Sequence, residues 1–226
     1  MEQAVAILTS GGDSQGMNAA IRAVVRTLLQ SDYKCYLVKE GYEGLISDTD
    51  WQNMISEAKF FDVSGILQLG GTFIGSARCL KFKERKYRKQ AAKNLLRFGI
   101  NKLCVIGGDG SLTGADLLAR EWKEFIEEFK NENDEDLKGV SFDRFEKLQV
   151  VGMVGSIDND FCGTDMTIGV DTALHRILEA VDSIHTTASS HQRVFVCEVM
   201  GRHCGYLALV SAMATAADYK KCDKWN

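Results

Sequence analysis

Short, evenly apolar runs that each break into a glycine-rich loop and then an amphipathic stretch recur along this chain, and that alternation admits few folds. AVAIL (4–8) is too short and too uniformly apolar for a surface helix and reads as a strand buried on both faces. Glycines follow it, then a helical pattern that puts Met17, Ala20, Ile21, Val24, Val25 and Leu28 on one face. CYLV (35–38), LCVI (103–106), LQVVGMVG (148–155) and VFVCEV (194–199) read as further strands. Between them, KERKYRKQAAKNLLRFG (83–99) is a basic helix that Gly99 stops. A second helix turns Ala115, Leu118, Trp122, Phe125 and Phe129 inward. A third carries Leu174, Ile177, Leu178, Val181 and Ile184 at helical spacing, and YLALVSAMATAA (206–217) is a fourth, built of small residues. Strand, glycine loop and helix in repetition predict an α/β fold: a mostly parallel sheet flanked by helices, with right-handed crossovers. One segment, EEFKNENDEDLKGVSFDR (127–144), is highly charged without a clear period and reads as a solvated excursion between helix and strand.

At 226 residues, 45% of them hydrophobic, the chain can bury a core without disulfide or metal staples. A net charge of −4 gives no electrostatic case for nucleic acid or an anionic membrane surface, so local basic side chains and backbone donors must hold any anionic substrate. No apolar run approaches the ~20 residues that span a bilayer, and MEQAVAILTS lacks the basic start and cleavage site of a signal peptide. The expected location is cytoplasmic. The seven cysteines are scattered and form no CxxC pair, so free thiols are expected, with Cys104 and Cys197 acting as small hydrophobes inside apolar runs. The four histidines have no metal-ligand spacing.

Ligands of open parallel sheets bind outside the carboxyl ends of the strands. Three strand ends here carry unusual loops: SGGDSQGMN (10–18), GGDGSLTG (107–114) and GSIDND (155–160). Any one alone is a tight turn; three at equivalent positions point to a site. The first has the G-x-x-x-x-G frame but lacks the Lys-Ser/Thr of a P-loop, and the second breaks the dinucleotide pattern at Thr113. Asp109 sharpens the reading. A carboxylate among phosphate-binding amides repels its ligand by ~4 kcal/mol at 4 Å and an effective dielectric near 20. A bridging Mg2+ reverses that sign. The alternative is that Asp109 caps the following helix. In SIDND, Asp158 and Asp160 are either a simple Asx turn or the base and metal-side carboxylate that phosphoryl transfer needs. Arg78, on the glycine-rich stretch GGTFIGSAR (70–78), suits a bidentate grip on phosphoryl oxygens. Arg193 and Arg202 flank the VFVCEVMG run.

LTSGGDSQGMNAAIRAVVR, GGTFIGSAR, VIGGDGSLTGA, GSIDNDFCGTDMTIGVDTALHRI and SSHQR followed by EVMGRHCGYLAL resemble, in order, signatures of the ATP-dependent 6-phosphofructokinase family of eukaryotic type, from residue 4 to about 218. The resemblance implies a Rossmann-like three-layer fold with residues 1–168 as an ATP-binding lobe and 169–226 as the start of an incomplete sugar-phosphate lobe. It implies transfer of the γ-phosphoryl of Mg-ATP to the 1-hydroxyl of fructose 6-phosphate in glycolysis, by an allosteric enzyme that forms homo-oligomers, tetramers in the family. Asp158 would be the general base and Asp109 the Mg2+ ligand, with Asp160 helping nearby. Gly12, Arg78, Cys79, Gly108, Asp109, Gly110 and Ser111 would hold ATP, and Lys83 and Arg88 would border it. Ser156, Ile157, Asp158, Met200, Gly201 and Arg202 would contact the sugar phosphate, with Arg193 reaching it from a neighbouring subunit. Pyrophosphate-using relatives carry Asp at the position of Gly110 and Lys at that of Gly155, so glycine at both implies ATP as donor. Family members continue after Asp218 with an apolar strand, whereas this chain reads YKKCDKWN (219–226), so a truncated product is expected. The competing expectation is a non-catalytic nucleotide-binding or subunit-interaction module.

Overall fold

The computed structural model describes residues 3–132 and 134–218. It divides into two compact units, Met1–Val154 and Gly155–Asn226. In the first unit, β1 (Gln3–Ser10) leads through α1 (Met17–Gln30) to β2 (Tyr33–Val38). The short helices α2 (Gly41–Leu45) and α3 (Trp51–Met54) then precede β3 (Ile55–Glu57). A long irregular segment and a 3-10 turn (Leu80–Lys83) come next, followed by α4 (Arg85–Arg97), β4 (Lys102–Gly107), α5 (Asp109–Glu132) and β5 (Gln149–Ser156). The second unit holds β6 (Ile168–Gly169), α6 (Val170–His191) and α7 (Tyr206–Ala214).

The strands follow the order β3-β2-β1-β4-β5-β6. Every pairing is parallel except β2 with β3, an antiparallel edge. The expected mostly parallel α/β sheet is therefore present. Its β1 is buried on both faces, with Ala6, Ile7 and Leu8 fully enclosed. Alternate residues serve alternate faces. Ala4, Ala6 and Leu8, with Leu103 and Val105 of β4, share one core with Ala91, Ala92, Leu95 and Leu96 of α4 and Leu118, Trp122 and Phe125 of α5. Each fully buried Leu or Phe of this kind stabilises the fold by about 1.5–3 kcal/mol. Helix α1 offers Met17, Ile21 and Val25 to full burial. Val24 and Leu28, expected on that same face, instead line an open groove with Val5, Cys104, Val151 and Met153.

Helix α4 ends as the sequence predicts: Gly99 takes φ 67°, its N–H bonds to the Leu96 carbonyl, and Ile100 N–H reaches back to Leu95. Three expectations are corrected. The charged segment 127–144 is a solvated excursion only in part: most of 130–144 is exposed, but it is anchored at both ends. Its first residues extend α5 to Glu132, Leu137 is 3% exposed in the main core, and Trp122 Nε1 donates to the Phe145 carbonyl at 2.6 Å. Its acids face the basic helix, with Arg85 on Glu128 at 2.5 Å, Lys89 on Glu128 at 2.8 Å and Lys93 on Asp134 at 2.8 Å. Charge without a period is therefore a pairing rail for α4. Second, 194–199 is not a strand. No strand of the described residues pairs with it, and Val194 and Val196 are 93% and 95% exposed. Apolar alternation becomes a strand only where a neighbour takes its hydrogen bonds. Third, Cys197 on that stretch is exposed, while Cys104 is buried as expected; the six described cysteines are all free thiols. Cys222 and the rest of 219–226 lie outside the described residues.

In the second unit, Val170, Leu174 and Leu207 form a small core, with Ile177, Val199 and Val210 packed on it. Ile177, Leu178, Val181 and Ile184 of α6 are only partly covered.

Candidate functional site

The chain leaves β1 to one side for β2 and later returns to its other side for β4, so the topological switch point lies between β1 and β4. Open α/β sheets bind ligands in the crevice outside such a point. The register is tight there: Ser10 is level with Gly107, and Gly107 with Val154. Three strand ends stand abreast, and each of the three glycine loops of the sequence begins at one of them.

Crowding explains one glycine. A Cβ on Gly107 would sit 2.4 Å from the Ser10 carbonyl oxygen and 2.9 Å from Ser111 Cβ, so the first two loops approach closely only with glycine there. Gly110 is the opposite case: a Cβ at that position would meet nothing within 4 Å, so the space beside it is open. Helix α5 starts at Asp109. Ser111 and Leu112 N–H both bond to the Gly108 carbonyl, and the first N–H groups have no intrahelical partner. Asp109 and Gly110 are exposed and Ser111 is buried. Among the described residues the Asp109 carboxylate accepts no hydrogen bond, so it does not cap the helix it opens. Tyr42 OH donates to the Ser111 carbonyl at 2.7 Å while its ring stacks on Phe82 at 3.8 Å, which pins the start of α5 from beneath.

Gly12 is exposed in the first loop. Gly11 N–H bonds to the Ala77 carbonyl at 3.2 Å, and Ser76 Oγ donates to the Gly11 carbonyl at 2.9 Å. The Arg78 stretch is thereby brought beside the first loop. Arg78 itself is exposed and pairs with no carboxylate of the described residues. Cys79 is partly buried, and burial foremost pushes its thiol up to about 11. Arg88 differs from expectation. It is 5% exposed, and its guanidinium is spent on Glu121 (2.7 Å twice) and the carbonyls of Phe82 and Lys83 (2.9 and 2.7 Å). It holds the 3-10 turn after Cys79 in place and is not free to meet a phosphate.

In the second unit, Asp158 N–H bonds to Ser156 Oγ at 3.2 Å. Asn159 takes a left-handed φ of 52° and accepts from Thr167 N–H at 2.9 Å, while Thr167 Oγ1 donates to the Ser156 carbonyl at 2.6 Å. These bonds hold the Asx loop rigidly, yet none uses the Asp158 carboxylate. Its Oδ1 is buried with no hydrogen-bond partner among the described residues. Desolvation first, then repulsion from Asp160, raises its pKa above the ordinary value of 3.8, and Arg202 opposes the shift. A half-buried carboxylate with a raised pKa and an unused oxygen is suited to accept a proton. Cys204 Sγ donates to the Asn159 carbonyl at 3.6 Å, tying the Gly201-Arg202 turn to the same loop. Ile157 is partly covered, Gly201 is buried, and Met200 and Arg202 are exposed. Arg193 lies on the exposed extended stretch and makes no described side-chain contact.

Sequence reasoning missed Thr9, Asn18, Tyr42 and Glu121, whose side chains support these loops. For Thr9 and Asn18 a signal exists: each is a polar residue inside an otherwise apolar buried run. Glu121 carried none, since it lies on a helix rich in acids.

The family model described as phosphofructokinase matches residues 4–222. Mouse ATP-dependent 6-phosphofructokinase, platelet type, is 61% identical over 217 residues, which are 96% of this chain and 27% of that protein. The ATP-dependent 6-phosphofructokinase of Schistosoma mansoni is 58% identical over the same shares. The solved phosphofructokinase of Saccharomyces cerevisiae superposes with a TM-score of 0.90 at 50% identity, covering 96% of this chain and 29% of that one. The chain thus spans little more than a quarter of the length of these relatives. With a family match through nearly all of its residues, the chain belongs to the phosphofructokinase family.

Proposed function

We propose that this chain forms the Mg-ATP site and part of the sugar-phosphate site of an ATP-dependent 6-phosphofructokinase, with residues 1–168 as the nucleotide lobe and 169–226 as the beginning of the sugar lobe. The observation that carries the reading is the row of three strand ends in register, bearing a free Asp109 carboxylate at the start of α5.

Each residue has a role that its surroundings favour. The unpaired N–H groups at the start of α5 and the exposed loop at Gly12 offer donors to phosphoryl oxygens. The unpaired Arg78 supplies charge, and Cys79 lies beside it. Open space at Gly110 favours a nucleotide over pyrophosphate as donor. Among the described residues no three His, Cys, Asp or Glu side chains gather to cage a metal. Mg2+ in phosphoryl transfer takes one or two carboxylates with the substrate phosphates as its other ligands, which fits Asp109. When bound, the metal neutralises charge on the β- and γ-phosphoryl oxygens.

In the transfer, the fructose 6-phosphate 1-hydroxyl oxygen bonds to the γ-phosphorus as the bond from that phosphorus to the β-γ bridging oxygen breaks. The Asp158 carboxylate takes the hydroxyl proton, and ADP and fructose 1,6-bisphosphate leave. Ser156, Ile157, Met200, Gly201 and Arg202 are assigned to the sugar phosphate, with Arg193 contributed by a neighbouring subunit of a homo-oligomer. The cytoplasm is the assigned location.

Asp158→Asn should lower fructose 1,6-bisphosphate formation by ~10²–10⁴-fold while leaving Mg-ATP affinity within about twofold. The checks are a coupled turnover assay and a titration with a fluorescent ATP analogue. Undiminished turnover in the variant would remove Asp158 from the role of base.

A further inference from the structure

Between Glu57 and Leu80 the chain contains no helix or strand, yet it ends by delivering Arg78 to the first glycine loop. Irregular segments of this length inside a domain are uncommon and usually functional. Their course must be set by specific bonds, because ordering costs ~1–2 kcal/mol per residue.

One buried residue makes four of those bonds, three of them through its side chain. Asn18, in the first turn of α1, is 2% exposed. Its Nδ2 donates to the carbonyls of Leu69 (3.1 Å) and Gly70 (3.2 Å), and its Oδ1 accepts from Phe73 N–H at 2.7 Å. Its backbone N–H reaches the Gly71 carbonyl at 3.2 Å. All four bonds go to the loop, and the side chain makes none to its own helix. Gln15 adds a fifth, accepting from Gly71 N–H at 2.8 Å. Thr9 Oγ1 continues the row, paired with Thr72 Oγ1 at 2.8 Å and donating to the Gly75 carbonyl at 2.9 Å. The Gly11 bonds to Ser76 and Ala77 then close it, one residue before Arg78.

We infer that Asn18 is a positioning residue that sets where Arg78 stands against the first glycine loop, so that nucleotide affinity depends on an amide that never touches the nucleotide. This rests on the proposed nucleotide role of the loops. The chemistry selects Asn: an aspartate would set a carboxylate against two carbonyls, and an apolar residue would take the partner from three part-buried loop groups.

The test is a double-mutant cycle on the 226-residue chain with Asn18→Ala and Arg78→Ala. Binding is read with a fluorescent ATP analogue and Mg2+, and the loop by amide exchange at Gly71 and Phe73. Asn18→Ala should weaken binding roughly tenfold to a hundredfold, the worth of three lost bonds. In the Arg78→Ala background it should weaken binding less than about twofold further. Amide exchange at both positions should accelerate. Additive effects, the signature of general destabilisation, would overturn the positioning role, and unchanged exchange would overturn the clamp itself. Should Asn18→Ala fail to fold, Gln15→Ala removes one bond from an exposed site. Its loss of about two- to fivefold should likewise vanish without Arg78. Absence of binding by the unaltered chain would instead remove the nucleotide reading, and the role with it, while exchange still judges the clamp.

Discussion

Asp158 holds its proton higher than an ordinary aspartate because burial disfavours the carboxylate and Asp160 repels it, while Arg202 pulls the other way. In its proposed role as base the carboxylate must be deprotonated to act, so turnover should fall as pH drops through this raised pKa. Asp160→Asn should move the acid limb of the pH–rate profile to lower pH, and Arg202→Gln should move it higher. A limb that stays fixed in both variants would assign the profile to another group. The sign for stability follows from linkage. Between the ordinary value and the raised one the folded state binds more protons than the unfolded state, so Asp158 makes stability decline as pH rises through that window. Residue identity at this loop was legible in the sequence, since SIDND is compact and distinctive. The unused Oδ1 was not, because it depends on burial that no local pattern encodes.

The seam between α4 and α5 shows what element-level patterns conceal. Arg85 and Lys89 hold the Glu128 carboxyl down to about 2, through hydrogen bonds first and charge second. Its stabilising contribution is complete above the unfolded value of 4.5 and is lost as pH falls toward 2. The group is largely solvated, so each pair is worth only about 0.2–1 kcal/mol. Glu128→Gln should therefore lower the thermal midpoint slightly at low salt, with the difference shrinking at about 1 M salt. A loss independent of salt would mean that packing is the larger part. The basic helix and the acidic segment were each visible in the sequence, but their pairing was not, because partners such as Arg85 and Glu128 belong to different elements. The stretch 194–199 failed for a related reason: its residues have strand character, and no neighbouring strand among the described residues completes it.

At the scale of the whole first unit, helices α4 and α5 cover one face of the sheet, while α1 shares the other with an apolar groove of about 470 Å3. Val151 on its floor is 63% exposed. Val151→Glu should thus change the stability of this chain by no more than about 0.5 kcal/mol and should reduce binding of an apolar dye. A large fall in the thermal midpoint would show that the side chain is enclosed in solution. Trp122 provides the contrast within the same unit. It is 1% exposed and bonded to Phe145, and its replacement by alanine belongs in the range of about 3–5 kcal/mol.

Most strand segments, the inward residues of α5 and the positions of the glycine loops were determined by the sequence alone, because they arise from periodicity and backbone freedom, which are local properties. Tertiary structure decided which strand ends lie abreast, which of the basic residues remain unpaired, and how the irregular segment before Arg78 is held. Arg78 and Arg88 look equivalent as residues. Only the fold leaves the first without a carboxylate partner among the described residues and commits the second to Glu121, because pairing requires that groups distant in the chain be brought within hydrogen-bond reach.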